Sequence, residues 1–358
     1  MVGSHGVTAN QSVGKCRNTT LSVWSSKMNV SVLGAGAWGT TFGQVLADAG
    51  NSVMMWGLEP DIVEDINTNH RNSSRLPSVD RLPDAMVAST DRAEAVRDAE
   101  IVVVAIAAQF ARGALEQFAP LIPANAIVVS LMKGIERSTG ARMDEVVRQS
   151  LDIPAERFAA VSGPNLSKEV AAKMPSATVV ASADPETARK VALACTTDYF
   201  KAYTSPDVVG LELCGSLKNV VALAVGMCRG AGYGENTAAL VQTRGLAELI
   251  ALGVASGAQE HTFAGLAGVG DLIATCGSPL SRNYTFGSNL GKGMSPEEAT
   301  KASNGVAEGV PTTEAMAALG GRLGVSTPLA SAMSKVLSEG LTCGQMLAEI
   351  FASDVSAE

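Results

Sequence analysis

Aromatic residues are scarce in this chain: only 4% of its 358 positions are Phe, Trp or Tyr. Small residues take their place, with 36 glycines, so backbones can come close to one another and to a ligand. Histidine is rarer still. Three histidines and six cysteines (16, 195, 214, 228, 276 and 343) form no C-x-x-C pair and no zinc spacing, so no metal site is expected. The cysteines read as reduced, buried thiols of a cytoplasmic protein. No 18-residue apolar run is free of charge. The most apolar stretch, 219–228, is too short to span a bilayer, and no membrane insertion is expected. Basic residues are outnumbered 35 to 27, for a net charge of −8, which argues against nucleic acid as a partner. An anionic small molecule stays open, because it needs only a local positive pocket.

Residues 1–27 carry Lys15, Arg17 and Lys27 but no acid, and are rich in Ser, Thr, Gly and Asn. They contain no apolar core of the kind a secretory signal has, and read as a disordered leader with Met28 as the natural start. Beyond them, short apolar runs at 29–33, 52–56, 101–106, 126–131, 158–163 and 177–182 alternate with helical patterns. Strands alternating with helices predict a doubly wound, mostly parallel sheet over 28–204. From 205 to 358 the pattern is helical, beginning with "DVVGLELCGSLKNVVALAVGMCRG", apolar nearly all round and therefore buried. The expected architecture is an α/β, Rossmann-like domain followed by an all-helical domain, with a cleft between them.

The first strand runs into "GAGAWGT", where Gly34, Gly36 and Gly39 fit G-x-G-x-x-G. The first glycine allows the tight turn, the second lets backbone approach a pyrophosphate, and the third lets the helix sit close to the strand. A bare match is weak, but here it follows a strand and opens a helix, as a dinucleotide site requires. The alternative is an ordinary tight turn. The acid expected about 20 residues on, at the end of the second strand, is replaced by Trp56, Gly57, Leu58 and then Glu59. Glu59 is either a ribose ligand or a solvated loop acid. No basic residue stands in this stretch to clamp a 2′-phosphate, which favours NAD over NADP.

In open α/β sheets ligands bind beyond the carboxyl ends of strands. Lys133 emerges at one such end, in "LMKGIE"; Gly163, Asn165 and Ser167 emerge at the next, in "SGPNLSKE". Lys218 is the most informative single residue. At helical spacing its neighbours are Leu211, Cys214, Val221, Ala222 and Val225, a wholly apolar stripe. A lysine there must snorkel to solvent, pair, or lose affinity for its proton. A desolvated lysine could exchange a proton with a substrate hydroxyl or carbonyl, with Asn219 beside it orienting the same group. Asp271 follows glycines at an apparent helix start, where capping alone is an even alternative. Ser281, Arg282 and Asn283 lie in a polar turn, and the Arg fork matches phosphate.

Taken together, "GAGAWGT", "KGIE", "SGPN", "GSLKN", "TRGLAE", "GLAGVGDL", "SRNYTFGSNLGKG" and "VAEGV" resemble, in order and spacing, the NAD(P)-dependent glycerol-3-phosphate dehydrogenase family of the soluble bacterial type. The likeness runs from about residue 28 to about 345. It implies hydride transfer between a nicotinamide and C2 of dihydroxyacetone phosphate, feeding phospholipid synthesis, in a homodimer. Lys218 then matches the catalytic lysine and Asp271 an acid beside it. Lys133 matches a lysine touching substrate and cofactor. Gly163, Asn165, Asn219, Ser281, Arg282 and Asn283 match substrate positions, Arg282 also lying near the cofactor. Ala37, Trp38, Ser167, Val306 and Glu308 match cofactor contacts. Three departures stand out: Leu58 where relatives carry His or Arg, "IAAQ" at 106–109 in place of V-P-x-[HQ], and "AEGVPTTEAM" for V-E-G-x-x-T. Two other readings share the pattern: a β-hydroxyacid-type dehydrogenase and a non-catalytic dinucleotide sensor.

Overall fold

Eight strands form one sheet in the order β3-β2-β1-β4-β5-β6-β7-β8. They are β1 (Asn29–Leu33), β2 (Ser52–Trp56), β3 (Met86–Ser89), β4 (Ile101–Val104), β5 (Ile127–Ser130), β6 (Phe158–Ser162), β7 (Ser176–Ala181) and β8 (Phe200–Ser205). The computed structural model describes residues 27–303 and 307–351; the leader reading for 1–26 and the cofactor role of Val306 lie outside the described residues. Every pairing is parallel except β6 with β7. The central strands β4 and β5 are buried on both faces, which is why they read as unbroken Val/Ile runs. The order reverses between β1 and β4, the switch point where doubly wound sheets take their ligands. The two strands without a sequence signal, β3 and β8, are the sheet's edges. Val87, Lys201, Tyr203 and Thr204 face solvent there, so the apolar pattern is diluted.

After β8 the described chain is helical. The central helix, Val208–Gly230, is buried without interruption from Gly210 to Cys228. Its neighbours include the helices Glu235–Ala255, Asp271–Gly277, Arg282–Gly291 and Gly309–Leu323. Each large apolar side chain enclosed this way contributes about 1.5–3 kcal/mol, and the central helix supplies Leu211, Leu213, Leu217, Val220, Val221, Leu223 and Val225. Where it crosses Arg282–Gly291 the backbones touch. A Cβ at Gly226 would lie 2.1 Å from the Tyr284 carbonyl oxygen, and one at Gly287 2.0 Å from that of Leu223. Only glycine fits.

The expectation that no segment is apolar enough for a bilayer needs correcting. Val208–Gly230 and Glu235–Ala255 are both long and apolar enough, with mean hydropathy 1.7 and 1.3, because a long window tolerates one or two charges. In the central helix 89% of that window is buried inside the protein itself. Five of the six cysteines fall among the described residues, and all five are free, buried thiols.

Candidate active site

The glycine turn joins β1 to the first helix, Ala37–Asp48. Gly34 has φ +118°, and a Cβ there would strike the Ala105 carbonyl oxygen at 2.6 Å. A Cβ at Gly39 would lie 2.2 Å from the Gly34 carbonyl oxygen, so the helix rests directly on the turn. Gly36 differs: its Cβ would meet nothing within 4 Å. It precedes a helix start that no side chain caps, so the N–H groups of Ala37 and Trp38 face an open cradle. The Trp38 indole N–H is also buried without a partner. These features fit a dinucleotide, whose pyrophosphate would lie against Gly36 and the helix start.

In the helical region the central helix carries Lys218. It does not snorkel: the side chain is 5% exposed. Its amine hydrogen-bonds the Asp271 carboxylate and, at 2.5 Å, the Thr275 hydroxyl. Thr275 is one turn beyond Asp271 on the helix Asp271–Gly277, and its hydroxyl in turn donates to Asp271 at 3.3 Å. Asp271 is no cap: Gly270 holds that position and the carboxylate makes no capping bond. Lys133, just past β5, reaches the other oxygen of Asp271 at 2.8 Å and the Gly163 carbonyl at 3.3 Å. One carboxylate thus lies between two ammonium groups, one from the sheet and one from the helices.

Burial pulls the Lys218 ammonium down to about 8 against the attraction of Asp271, and the nearby charge of Lys133 pulls the same way. Burial works to raise the Asp271 carboxyl, but the two lysines outweigh it and hold it below its usual range. An ammonium has three N–H donors. Asp271 and Thr275 take two from Lys218, leaving one for a ligand oxygen.

The central helix can approach the end of β6 because residue 215 is glycine; a Cβ there would sit 2.7 Å from the Ser162 hydroxyl. That hydroxyl is buried without a partner. The Asn219 side chain is buried and makes no hydrogen bond among the described residues. Asn165 is already occupied: it donates to the Ala177 carbonyl at 2.9 Å and accepts from Thr178 at 2.9 Å. Ser167 offers only its carbonyl, to Thr41, at 3.3 Å. Ser281 caps its own helix by accepting from the Tyr284 N–H at 3.2 Å. Asn283 accepts from the Gly309 N–H at 2.8 Å and so ties the Arg282 turn to the segment bearing Glu308. Burial raises the Glu308 carboxyl despite the opposing charge of Arg282, and one of its oxygens is buried without a partner. The same oxygen would be 3.7 Å from a Cβ on Gly134, next to Lys133. Arg282 itself is exposed, with no ion pair among the described residues.

Two family models cover nearly all of the described chain. The N-terminal model of NAD-dependent glycerol-3-phosphate dehydrogenase matches residues 29–188, and the C-terminal model matches 207–348. The chain belongs to this family. A glycerol-3-phosphate dehydrogenase [NAD(P)+] of Bifidobacterium longum subsp. infantis is 70% identical over 330 residues, covering 92% of this chain and 99% of the relative. One from Corynebacterium kroppenstedtii is 47% identical over the same shares of the two chains. The crystal structure of glycerol-3-phosphate dehydrogenase from Coxiella burnetii superposes with a TM-score of 0.86 at 32% identity, covering 91% of this chain and 99% of that one. A D-mandelate dehydrogenase matches at 14% identity and a TM-score of 0.56, a likeness of fold alone.

Within this member of the glycerol-3-phosphate dehydrogenase family, Ser162, Thr275 and Arg75 escaped the sequence reading. Thr275 was legible as the i+4 neighbour of Asp271 on the same helix face. Arg75 was not: it lies sixteen positions beyond Glu59 but folds back to within 2.6 Å of it. The stretch 56–59 holds no base, but the loop at 70–76 brings one beside it.

Proposed function

We propose that Lys218 moves the proton, and Arg282 anchors the phosphate, in the reaction of this family. As a member of it the chain is an oxidoreductase that interconverts dihydroxyacetone phosphate and glycerol 3-phosphate with NAD or NADP. The bound dinucleotide supplies or accepts the hydride at its nicotinamide. The chain's own residues do the rest. As charge develops on the C2 oxygen, the free N–H of Lys218 donates to it and then transfers its proton; in the reverse direction the neutral amine takes the proton back. Asp271 and Thr275 aim the amine, while Lys133 adds positive charge at the sheet edge. Asn219 offers a hydrogen bond to the same substrate. Remote binding energy from the phosphate on Arg282 positions C2.

The observation that carries this reading is the desolvated amine of Lys218, tuned close to neutral pH and held on two partners at the sheet's ligand edge. A homodimer, a cytoplasmic location, a supply role in phospholipid synthesis, and the division into a cofactor half (28–204) and a helical half (205–358) belong to the same proposal. The purified chain, given NADH and dihydroxyacetone phosphate, should consume the reduced nicotinamide. Turnover of 3-hydroxy acids but not of this ketone would replace the proposal with a β-hydroxyacid dehydrogenase, and turnover of neither would leave a dinucleotide sensor.

A further inference from the structure

Lys133 reaches Asp271 from a loop, residues 131–142, between β5 and the helix Met143–Leu151. A buried ion pair three residues further on locks that loop. The Glu136 side chain is only 8% exposed. Arg112 donates to both of its oxygens, Nε to Oε1 and Nη2 to Oε2, each at 2.9 Å. The Thr139 hydroxyl donates to the same carboxylate at 2.5 Å and closes the turn on it. The bonds to Arg112 hold the Glu136 carboxyl below the usual carboxylate range, against its burial. Arg112 belongs to the helix Ala111–Phe118, which follows β4. Gln109, just before that helix, grips the backbone on either side of Glu136. Its amide donates to the Ile135 carbonyl at 2.8 Å, and its oxygen accepts from the Arg137 N–H at 3.1 Å. Gly134 lets the loop lie this close, since a Cβ on it would sit 2.8 Å from that of Ala108.

A two-bond guanidinium–carboxylate fork fixes direction as well as distance. A lysine stem loses much rotamer freedom when its amine is held in one place, so a loop free to shift would surrender the contact with Asp271. Among the described residues, the hydrogen bonds of the Glu136 and Arg112 side chains go to each other, Thr139 and Gln149, and none reaches Asp271 or Lys218. Their influence on the reaction therefore has to pass through the loop. We propose that Glu136, clamped by Arg112, is a positioning residue: it sets the loop so that Lys133 presents its amine to Asp271 and the Gly163 carbonyl. The inference rests on the reading above that the charge of Lys133 assists the reaction.

Steady-state reduction of dihydroxyacetone phosphate by NADH on the full chain tests it, with Lys133→Met as the benchmark. Glu136→Ala should lower kcat/KM about 10- to 100-fold, the scale of a misplaced group. Added to Lys133→Met, it should cost less than about threefold more, because the group it positions is already gone. The pH midpoint near 8 supplies a second readout. The charge of Lys133 pulls the Lys218 ammonium down, so both single variants should move that midpoint up. The other groups acting on this amine, Asp271 and the thiols of Cys214 and Cys276, are unaltered by the substitutions. Should Glu136→Ala fail to fold, Arg112→Lys carries the same comparison, since it keeps the charge but loses the fork. Losses that multiply in the double variant, or a midpoint that stays in place in Glu136→Ala, would overturn the inference and leave Glu136 a structural residue. An impaired Lys133→Met beside a normal Glu136→Ala would overturn it alone. A Lys133→Met of unchanged kcat/KM and midpoint would remove the role of Lys133 and the inference together.

Discussion

The cradle at the glycine turn and the amine pocket opposite it are assembled differently. Residues 34–39 make the cradle from one unbroken stretch, with open space at Gly36 and an uncapped helix behind it. The pocket draws Lys133, Gly163, Lys218, Asp271 and Thr275 from four separate segments and leaves only one N–H of Lys218 free. A contiguous cradle is set by local backbone geometry and can bind before any chemistry is possible. A pocket assembled from both halves of the chain exists only when those halves are packed. Binding and chemistry are thus separable here, and substitutions should separate them.

The largest effect is expected at Lys218. Lys218→Ala removes the proposed proton donor and should cost about 100- to 10,000-fold in turnover while NADH affinity, read by fluorescence, stays within about threefold. Loss of cofactor affinity in parallel would erase the distinction between cradle and pocket. Next comes Arg282→Ala, expected to raise KM for dihydroxyacetone phosphate about 10- to 100-fold with little change for NADH; a lowered melting temperature with unaltered KM would show a structural role instead.

The smallest effect is the most diagnostic. If Lys218 is the donor as proposed, kcat/KM for reduction should fall as pH rises through about 8, and the oxidising direction should rise through the same value. In Asp271→Asn the buried anion is gone. An uncompensated buried charge costs about 3–5 kcal/mol, so the cheaper response is for Lys218 to shed its proton. The pH midpoint should move down in both directions. A midpoint that stays in place would mean that another group titrates.

The cradle was legible because its physics is local: a strand, three glycines at fixed spacing and a helical pattern are adjacent in the sequence. Lys218 was legible for another reason, as a charge on an apolar stripe. Its partners were harder. Asp271 looked like a helix cap because glycines precede it, and only the fold turns its carboxylate toward two lysines. Ser162 gave no signal, since its orphaned hydroxyl matters only through contact with Gly215. Arg75 was hidden for the same reason that β3 and β8 were: loops and sheet edges are fixed by tertiary contact, and their side chains carry no periodic pattern.

The bare backbone crossing at Gly226 and Gly287 has one more consequence. Lys218 stands on one of those two rods and Arg282 begins the other. With main chain set against main chain at the crossing, the span between the two residues' α-carbons behaves as a fixed gauge. A ligand with its oxygen and its anion the right distance apart is gripped at both ends, and one lengthened by a carbon must give up one grip to keep the other.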